Sequence, residues 1–471
     1  MSVSNQHKEY VKYLQKWERC RTVASGQDAV HDAGETYLPR LKDQTDEDYA
    51  AYKLRASFFN ATWRTIAGLA GMLFRKPATV DVPPSVAPLL AAITPEGDNL
   101  QIFAMELAVD LLKTGRVGIM VDCPPLTVTG ATMADAQRLN IRPTLCEYDA
   151  ENIINWGSIV INNRQTLSLV VLKETNQTGM KDEFTPIEEI QYRVLDLGPT
   201  PLVAPIYRVR LFQIKDDKDV QIGGDIYPTM NGAALSIIPF YFIGTDDADI
   251  CPDDPPLIDL VDMNLAHYRV TADYEHGCHF TALPTGYITG VRTDEANPLD
   301  IYLGSQKMLL LPDATSKAAF MEFTGAGLSS LKTNLTDKEA MMAVLGARML
   351  EQQRKGVEAA ETAAIHRSGE QATLASIARS LSIGITRALQ TFSDWAGGGM
   401  PVSFNINRDF VPVSVTPQDL TALTMTWLQG GISKETLFDN LQRAEIIPAD
   451  RTFEEEQASI MQGFGPATPA A

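Results

Sequence analysis

The chain has 471 residues, 45% of them hydrophobic, and 40 Lys and Arg against 59 Asp and Glu give it a formal net charge of -19. That length exceeds one compact core and implies two to four domains, while the apolar content excludes broad disorder. The charge argues against a protein that grips nucleic acid tightly, because such affinity comes mainly from Lys and Arg displacing counterions. It does not exclude an acidic wall past which nucleic acid slides without sticking, but on charge alone the favoured reading is a surface that only confers solubility.

The opening Met1-Ser2-Val3-Ser4-Asn5-Gln6-His7-Lys8-Glu9 lacks the apolar core of a signal peptide, and no apolar run is long enough to cross a bilayer. The first 77 residues read as helical and mildly basic, with Tyr10, Leu14 and Trp17 on one face. Thr45 caps a helix with Asp46, Glu47 and Asp48 in its first turn. The amphipathic stretch 52–74 follows and stops at Lys76-Pro77, with Met72, Leu73 and Phe74 turned inward. Pro83-Pro84 and Thr94-Pro95-Glu96-Gly97 bracket a short helix, and 100–113 is a longer one. Thr114-Gly115 then leads into a buried strand, 117–122, which ends at Cys123-Pro124-Pro125.

From about 142 to 242 the period changes to two. Strands are predicted at 158–161, 167–173, 188–195, 206–213 and 236–242, separated by Asn162-Asn163, by 176–179 and by Gly223-Gly224. That spacing implies an antiparallel meander. An acidic, proline-rich joint at 246–256 opens a helix that runs to about His276, with Leu257, Val261, Leu265, Tyr268 and Ala272 on one face. Short strands follow at 287–291, 307–311 and 319–323.

A very long helical region is predicted from Thr336 to Trp395. Thr336-Asp337-Lys338-Glu339 has capping-box spacing, and Gly397-Gly398-Gly399 ends it. Leu374, Ile377, Leu381, Ile385, Ala388, Phe392 and Trp395 form one apolar stripe. Helices beyond about 25 residues are long for a globular protein, so this one needs neighbours along its length. Strands at 402–406 and 411–415 come next. Three short helices close the chain, opened by Thr416-Pro417, Ser433 and the capping box Thr452-Phe453-Glu454-Glu455. The last residues, from 463, are small and proline-containing and are expected to be disordered.

Few motifs carry chemistry. The five cysteines (Cys20, Cys123, Cys146, Cys251, Cys278) are scattered, without a Cys-x-x-Cys pair, and read as reduced cytosolic thiols. His276, Cys278 and His279 are candidate zinc ligands, but no fourth ligand stands at a familiar spacing, and His267 is nine residues upstream. The competing reading is a helix C-terminus whose histidines favour the last carbonyls and whose Gly277 ends the helix. Gly325-Ala326-Gly327-Leu328 resembles part of a phosphate loop but lacks the Lys-Ser/Thr that would follow, so a turn opening a helix is expected. No nucleophile elbow or His-Glu-x-x-His occurs. Gln352-Gln353-Arg354-Lys355-Gly356 interrupts the long helical region with basic residues, either a solvated face or a loop that touches a polyanion.

The order of parts resembles the portal proteins of tailed bacteriophages, and more narrowly a family of phage and prophage proteins long carried as a domain of unknown function. The resemblance rests on Tyr37-Leu38-Pro39-Arg40 with the runs 52–60 and 74–77, and on the run 254–260 with 264–269 and Ala272-Asp273-Tyr274. It rests also on Leu345-Gly346-Ala347-Arg348 through Glu361-Thr362-Ala363 and Gly369-Glu370, and on Gly431-Ile432-Ser433 with Ile446-Ile447-Pro448 and Glu454-Glu455-Glu456. It implies an α+β, portal-like fold: long stem and wing helices, an antiparallel β wing region, a small β clip and a helical C-terminal crown. Wing would be 1–250, stem helices and clip 251–350, tunnel loop with the long helix and returning wing strands 351–415, and crown with tail 416–471. The resemblance further implies a non-enzymatic ring, usually a dodecamer, at one capsid vertex, serving DNA packaging and ejection as a head-tail connector. It implies double-stranded DNA, a terminase motor, a head-tail adaptor and major capsid and scaffold proteins as partners. No cofactor, metal or membrane is expected. The location would be the virion, and the host cytoplasm during assembly. Within the tunnel loop, Gln353, Arg354 and Lys355 would face the DNA. The rival readings are a metal-dependent hydrolase built on His276, Cys278 and His279, or another minor head structural protein.

Overall fold

The computed structural model describes residues 2–123, 141–200, 202, 204–282, 285–289, 317–321, 326–346, 360–408, 410, 417–444, 446–448 and 451–463. They divide into two compact units, one of residues 1–71 and 78–406, the other of 72–77 and 407–471. The fold is mixed: helices alternate with sheets whose pairings, among the described residues, are all antiparallel.

The first unit begins with helices α1 (Lys8–Ser25), α2 (Gln27–Asp32), α3 (Asp46–Arg55) and α4 (Ala61–Leu73). Tyr10 and Trp17 of α1 are buried, as their spacing predicts, and Leu14 packs beside them. Thr45 caps α3 by accepting from the Asp48 backbone N–H at 3.1 Å. The predicted continuous stretch 52–74 is instead two helices. The chain leaves helix at Ala56, whose ψ is 105°, and Asn60 restarts it by accepting from the Trp63 N–H. Leu73 is fully buried, while Met72 and Phe74 are half-buried.

Strand β1 (Thr79–Asp81) and a 3-10 turn at Ala87–Ala92 lead to α5 (Leu100–Thr114), which Asn99 caps. Gly115 ends α5 at φ +75°, and the Asp254 carbonyl lies so near its Cα that a Cβ there would clash. Strands β2 (Arg116–Asp122) and β3 (Thr144–Asp149) follow. The predicted meander is present as β4 (Ile153–Ile161), β5 (Arg164–Met180), β6 (Pro186–Asp196), β7 (Arg208–Lys215) and β8 (Lys218–Ile226), paired in chain order. Asn162 and Asn163 turn β4 into β5 with φ of +49° and +60°, the left-handed pair that a tight hairpin requires. Asp216 and Asp217 repeat the device between β7 and β8.

Three expectations fail in this region. Residues 176–179 are no turn but part of β5, where a bulge between Gln177 and Gly179 absorbs the irregularity. Gly223-Gly224 lies inside β8, a fully exposed edge strand. The strand predicted at 236–242 does not join the meander. After the small hairpin β9 (Thr229–Met230) and β10 (Ala233–Ala234), β11 (Phe240–Gly244) pairs with β2, giving a separate sheet of order β11-β2-β3. Gly118 of β2 makes room there for the Phe240 ring. Tyr10, Tyr13 and Trp17 share one core with residues of both sheets. At its edge Arg116 is buried flat between Trp156 and Phe242, 4.1 and 4.3 Å from their ring centres. Burial pushes this guanidinium down to about 9, against the pull of Asp249, Cys251 and Asp253. It donates to the Ile250 carbonyl at 3.0 Å and so pins the acidic joint from below.

Beyond the joint come α6 (Ile258–Ala282), strands β12 (Thr285–Thr289) and β13 (Lys317–Met321), α7 (Ala326–Val344), α8 (Ala360–Trp395) and β14 (Ser403–Asn405). The long helical region is thus two helices. Thr336 does not start one: it lies inside α7, where its hydroxyl donates to the Lys332 carbonyl. The other end is as predicted, with the Gly397 and Gly398 N–H groups closing on Asp394 and Ser393 carbonyls. Leu374, Ile377, Leu381, Ile385, Ala388 and Phe392 are buried along α8, which lies against α5, β2, β3, β11 and β14.

A second stripe of α8 is polar and serves β14. The backbone N–H groups of Ile406, Phe404 and Val402 donate in turn to Ser382 Oγ, Thr386 Oγ1 and Gln390 Oε1, at 3.0, 3.0 and 3.1 Å. Four helical residues rise about 6 Å and two strand residues rise about 6.6 Å, so the two repeats stay in step. The other flank of β14 pairs with β1.

The second unit contains α9 (Pro417–Leu428), α10 (Lys434–Arg443) and α11 (Phe453–Gly463). Ser433 caps α10 by accepting from the Thr436 N–H at 3.0 Å. Thr452 and Glu455 form the predicted reciprocal box, each side chain accepting from the other's backbone N–H. Phe438 and Phe453 meet edge to face and join α10 to α11.

Candidate functional site

The most distinctive surface is an arm built from α6, the β12–β13 hairpin and α7. The first half of α6 is rooted: Val261, Leu265, Tyr268 and Ala272 are buried with Tyr37, Leu38, Tyr49, Tyr52 and Phe58. Arg19 pairs with Asp262 at 3.2 Å, and Tyr52 donates to Asp273 at 2.7 Å. Beyond Ala272 no described residue of α6 is buried, and Phe280 is 55% exposed. The hairpin pairs Thr285 with Met321 and Thr289 with Lys317, so the predicted strands 287–291 and 319–323 do meet, shifted by two residues. The strand expected at 307–311 lies outside the described residues, as does that at 411–415.

α7 returns along α6. Leu328 lies against Gly277, Glu339 faces His267, and Met342 packs with Leu260, Met263 and Ala61, an order that makes the two helices antiparallel. Gly277 therefore has a purpose other than stopping the helix. α6 continues through it to Ala282, and the missing side chain leaves the space that Leu328 occupies. The helix end predicted there is corrected on that ground. α7 itself buries only Met342 among its described side chains and leaves Met341 and Val344 about half exposed.

The three candidate zinc ligands sit on the outer part of α6. His276 meets Tyr52 and Phe280 edge-on, and His279 meets the same Phe280. Burial, with Arg55 and His279, lowers the His276 imidazole below its ordinary range. Cys278 interacts with the Tyr274 hydroxyl. At about 100° per residue, Cys278 points well away from His276, and the three are not among the described groups whose ligand atoms converge. The other candidates, Gln353, Arg354 and Lys355, lie outside the described residues.

Among the described residues one set of carboxylates does converge: Asp110 of α5 with Glu147 and Asp149 of β3, their oxygens within 4.8 Å. The cation positions around it are already filled. Arg21 of α1 forks onto both Asp110 oxygens at 2.8 Å and onto both Glu151 oxygens at 2.7 and 2.9 Å, and Lys113 reaches Asp110 at 3.1 Å. Burial pushes Asp110 up, but the Arg21 guanidinium outweighs it and holds the carboxyl well below the usual range. Glu147 has no such partner: burial, with Asp110 and Asp149 beside it, pushes it up to about 8. Asp149, half-buried and sharing a hydrogen bond with Asp110, is pushed up to about 7. The arrangement is an ion-pair clamp joining three elements. Sequence reading missed it because its members come from separate stretches; the one local signal is Asp110 on the apolar face of α5, between Leu107 and Leu111.

All five cysteines are free. Among the described residues no helix is long and apolar enough to cross a membrane.

The domain of unknown function DUF4055 matches residues 256–396, which is α6 through α8. No curated protein matches the sequence. Solved structures resemble the chain weakly. One, the neck of an empty GTA particle computed with C6 symmetry, has a TM-score of 0.40 at 11% identity, over 88% of this chain and 93% of that one. A second, from the virion of a native gene transfer agent particle, has 0.40 at 12% identity over 93% and 99%. A third, the neck of a native GTA particle computed with C12 symmetry, has 0.35 at 11% over 83% and 91%. These scores are too low to establish a common fold.

Proposed function

We propose that the chain is a portal-like structural protein of a phage-like particle. Copies would close into a ring at one capsid vertex, form a channel for double-stranded DNA, and offer a platform to a packaging motor and a tail. The observation that carries the proposal is α7, a 19-residue helix that buries one described side chain. Helices are held in proteins mainly by packing of an apolar face rather than by intrinsic propensity. Among the described residues α7 has little such packing, and equivalent arms of neighbouring copies would supply it by head-to-tail contact. The residue pattern resembling portal proteins supports the same reading. So does the negative charge, which suits a conduit that DNA must traverse without adhering.

In this reading α6 and α7 are stem, β12–β13 is part of the clip, α8 and the meander are wing, and α9 to α11 are crown. The protein would be a conduit, with any nucleotide hydrolysis left to its partner. Native mass measurement of the full chain should give one uniform high-order ring, visible by negative-stain microscopy; a monodisperse monomer at micromolar concentration would remove the proposal. Arg354 and Lys355 would project toward DNA phosphates from the segment between α7 and α8. Replacing both by Ala should reduce packaging while the ring still forms. Unchanged packaging would refute that role.

A further inference from the structure

The α6–α7 contact contains one titratable group that the assembly reading does not use. His267 of α6 is 5% exposed. Among the described residues its Nε2 has no partner at hydrogen-bond distance, and the nearest acceptor is Glu339 Oε1 of α7 at 3.6 Å. Its Nδ1 is 3.4 Å from Thr271 Oγ1, a hydroxyl that already donates to the His267 carbonyl at 3.0 Å. The Phe59 ring tilts toward the imidazole at 6.4 Å, and Arg64 of α4 lies over that ring. The charged groups facing the site are thus Glu339 and Lys338 from α7 and, across Phe59, Arg64 from α4. The Glu339 side chain is 60% exposed and spends most of its charge on water, so it compensates poorly for an imidazolium beneath the helix. Among the described residues the other apolar contacts that hold α7 down are Leu328 at Gly277 and Met342 on Leu260, Met263 and Ala61.

We propose that His267 is an acid-sensitive latch. The neutral ring lets α7 lie on α6, and protonation favours a state in which α7 lifts and the imidazolium reaches water.

The sign follows from linkage. Burial lowers the imidazole below its ordinary value, Glu339 opposes this, and Lys338 adds to it. The docked state therefore binds the proton less tightly than the lifted one. Docking is fully favoured above the ordinary imidazole range and weakens as pH falls through it. The limiting slope is about tenfold in the docking equilibrium per pH unit.

Hydrogen exchange of the full-length chain, read at the α7 amides from pH 8 to pH 5 and corrected for intrinsic rates, tests this. The expected result is loss of α7 protection below about pH 6.5, by less than tenfold per unit, and no such loss in His267→Gln. Two surface variants guard against misfolding of that one. Glu339→Gln should lose more protection by pH 5 than the wild type, and Lys338→Gln less. Protection that stays flat with pH, falls equally in His267→Gln, or is the same in both α7 variants would overturn the latch. The comparison is made in one assembly state throughout, so its outcome is separate from whether rings form.

Discussion

The clamp around Arg21 has a surplus of acid. Asp110, Glu147, Asp149 and Glu151 face Arg21 and Lys113, and burial among like charges pushes the Glu147 and Asp149 carboxyls up. Both carboxyls have folded values raised far above their ordinary ones, so the native state holds more protons than the unfolded chain between about pH 4 and pH 8. Stability therefore falls as pH rises through that window, by at most about 1.4 kcal/mol per unit for each group. Thermal unfolding followed from pH 5 to pH 8 should show a declining Tm. Glu147→Gln, which copies the protonated form, should flatten much of that decline; a variant curve parallel to the wild type would show that Glu147 does not titrate in this window. None of this was legible in the sequence, because a clamp of Arg21, Asp110 and Glu147 exists only once α1, α5 and β3 have met. Caps are the opposite case. Thr45, Ser433 and the Thr452–Glu455 pair act within one helical turn, and each was read correctly from spacing alone.

Among elements, α8 does two jobs. Its apolar stripe fills the core, and its polar stripe replaces a missing strand beside β14. Thr386→Val keeps the shape and volume at the centre of that polar row but leaves the Phe404 N–H without its acceptor. Leaving a buried donor unmade costs about 1–3 kcal/mol, and chemical denaturation of the variant should show a loss of that size. No loss would mean that β14 is held by its pairing with β1 alone. The apolar stripe was readable because its period is that of a helix. The polar one was not, since Ser, Thr and Gln on a helix look solvent-facing until a strand is laid against them. The meander shows the same limit. Alternation marks most of its strands, but Gly223-Gly224 and 176–179 look like turns in the sequence because Gly and Asn serve turns and bulges alike. The strand at 236–242 was placed with its nearest neighbours in sequence, although only the burial of β2 explains why β11 pairs there. Gly277 was read as a stop because its reason for being glycine, Leu328, is some fifty residues away.

For the whole molecule, net charge and assembly oppose one another. Copies carrying -19 each repel at long range, and the repulsion is screened beyond about 10 Å at 0.1 M salt. Ring formation, if driven by packing of the α6–α7 arms, should strengthen as salt rises from about 0.02 to 0.5 M. Analytical ultracentrifugation at fixed protein concentration reads this directly. Dissociation by salt would point instead to charge-pair contacts between copies. The order of parts along the chain was legible in outline, from a helical start through a strand-rich middle to a capped helical end. How the two units combine with those of other copies is a property of surfaces that a single chain's sequence pattern does not encode.

In the proposed ring, crowding many copies around one axis would expose each to a hazard that β8 is shaped to avoid. All nine of its residues face solvent, and its outer backbone groups pair with no described strand, which leaves them able to recruit one from a neighbour. The left-handed bend at Gly223 and the register slip opposite Val209 and Leu211 break the straight rim that lateral stacking would need. Local concentration could then rise as far as the proposed vertex would demand without the molecules fusing edge to edge into fibres.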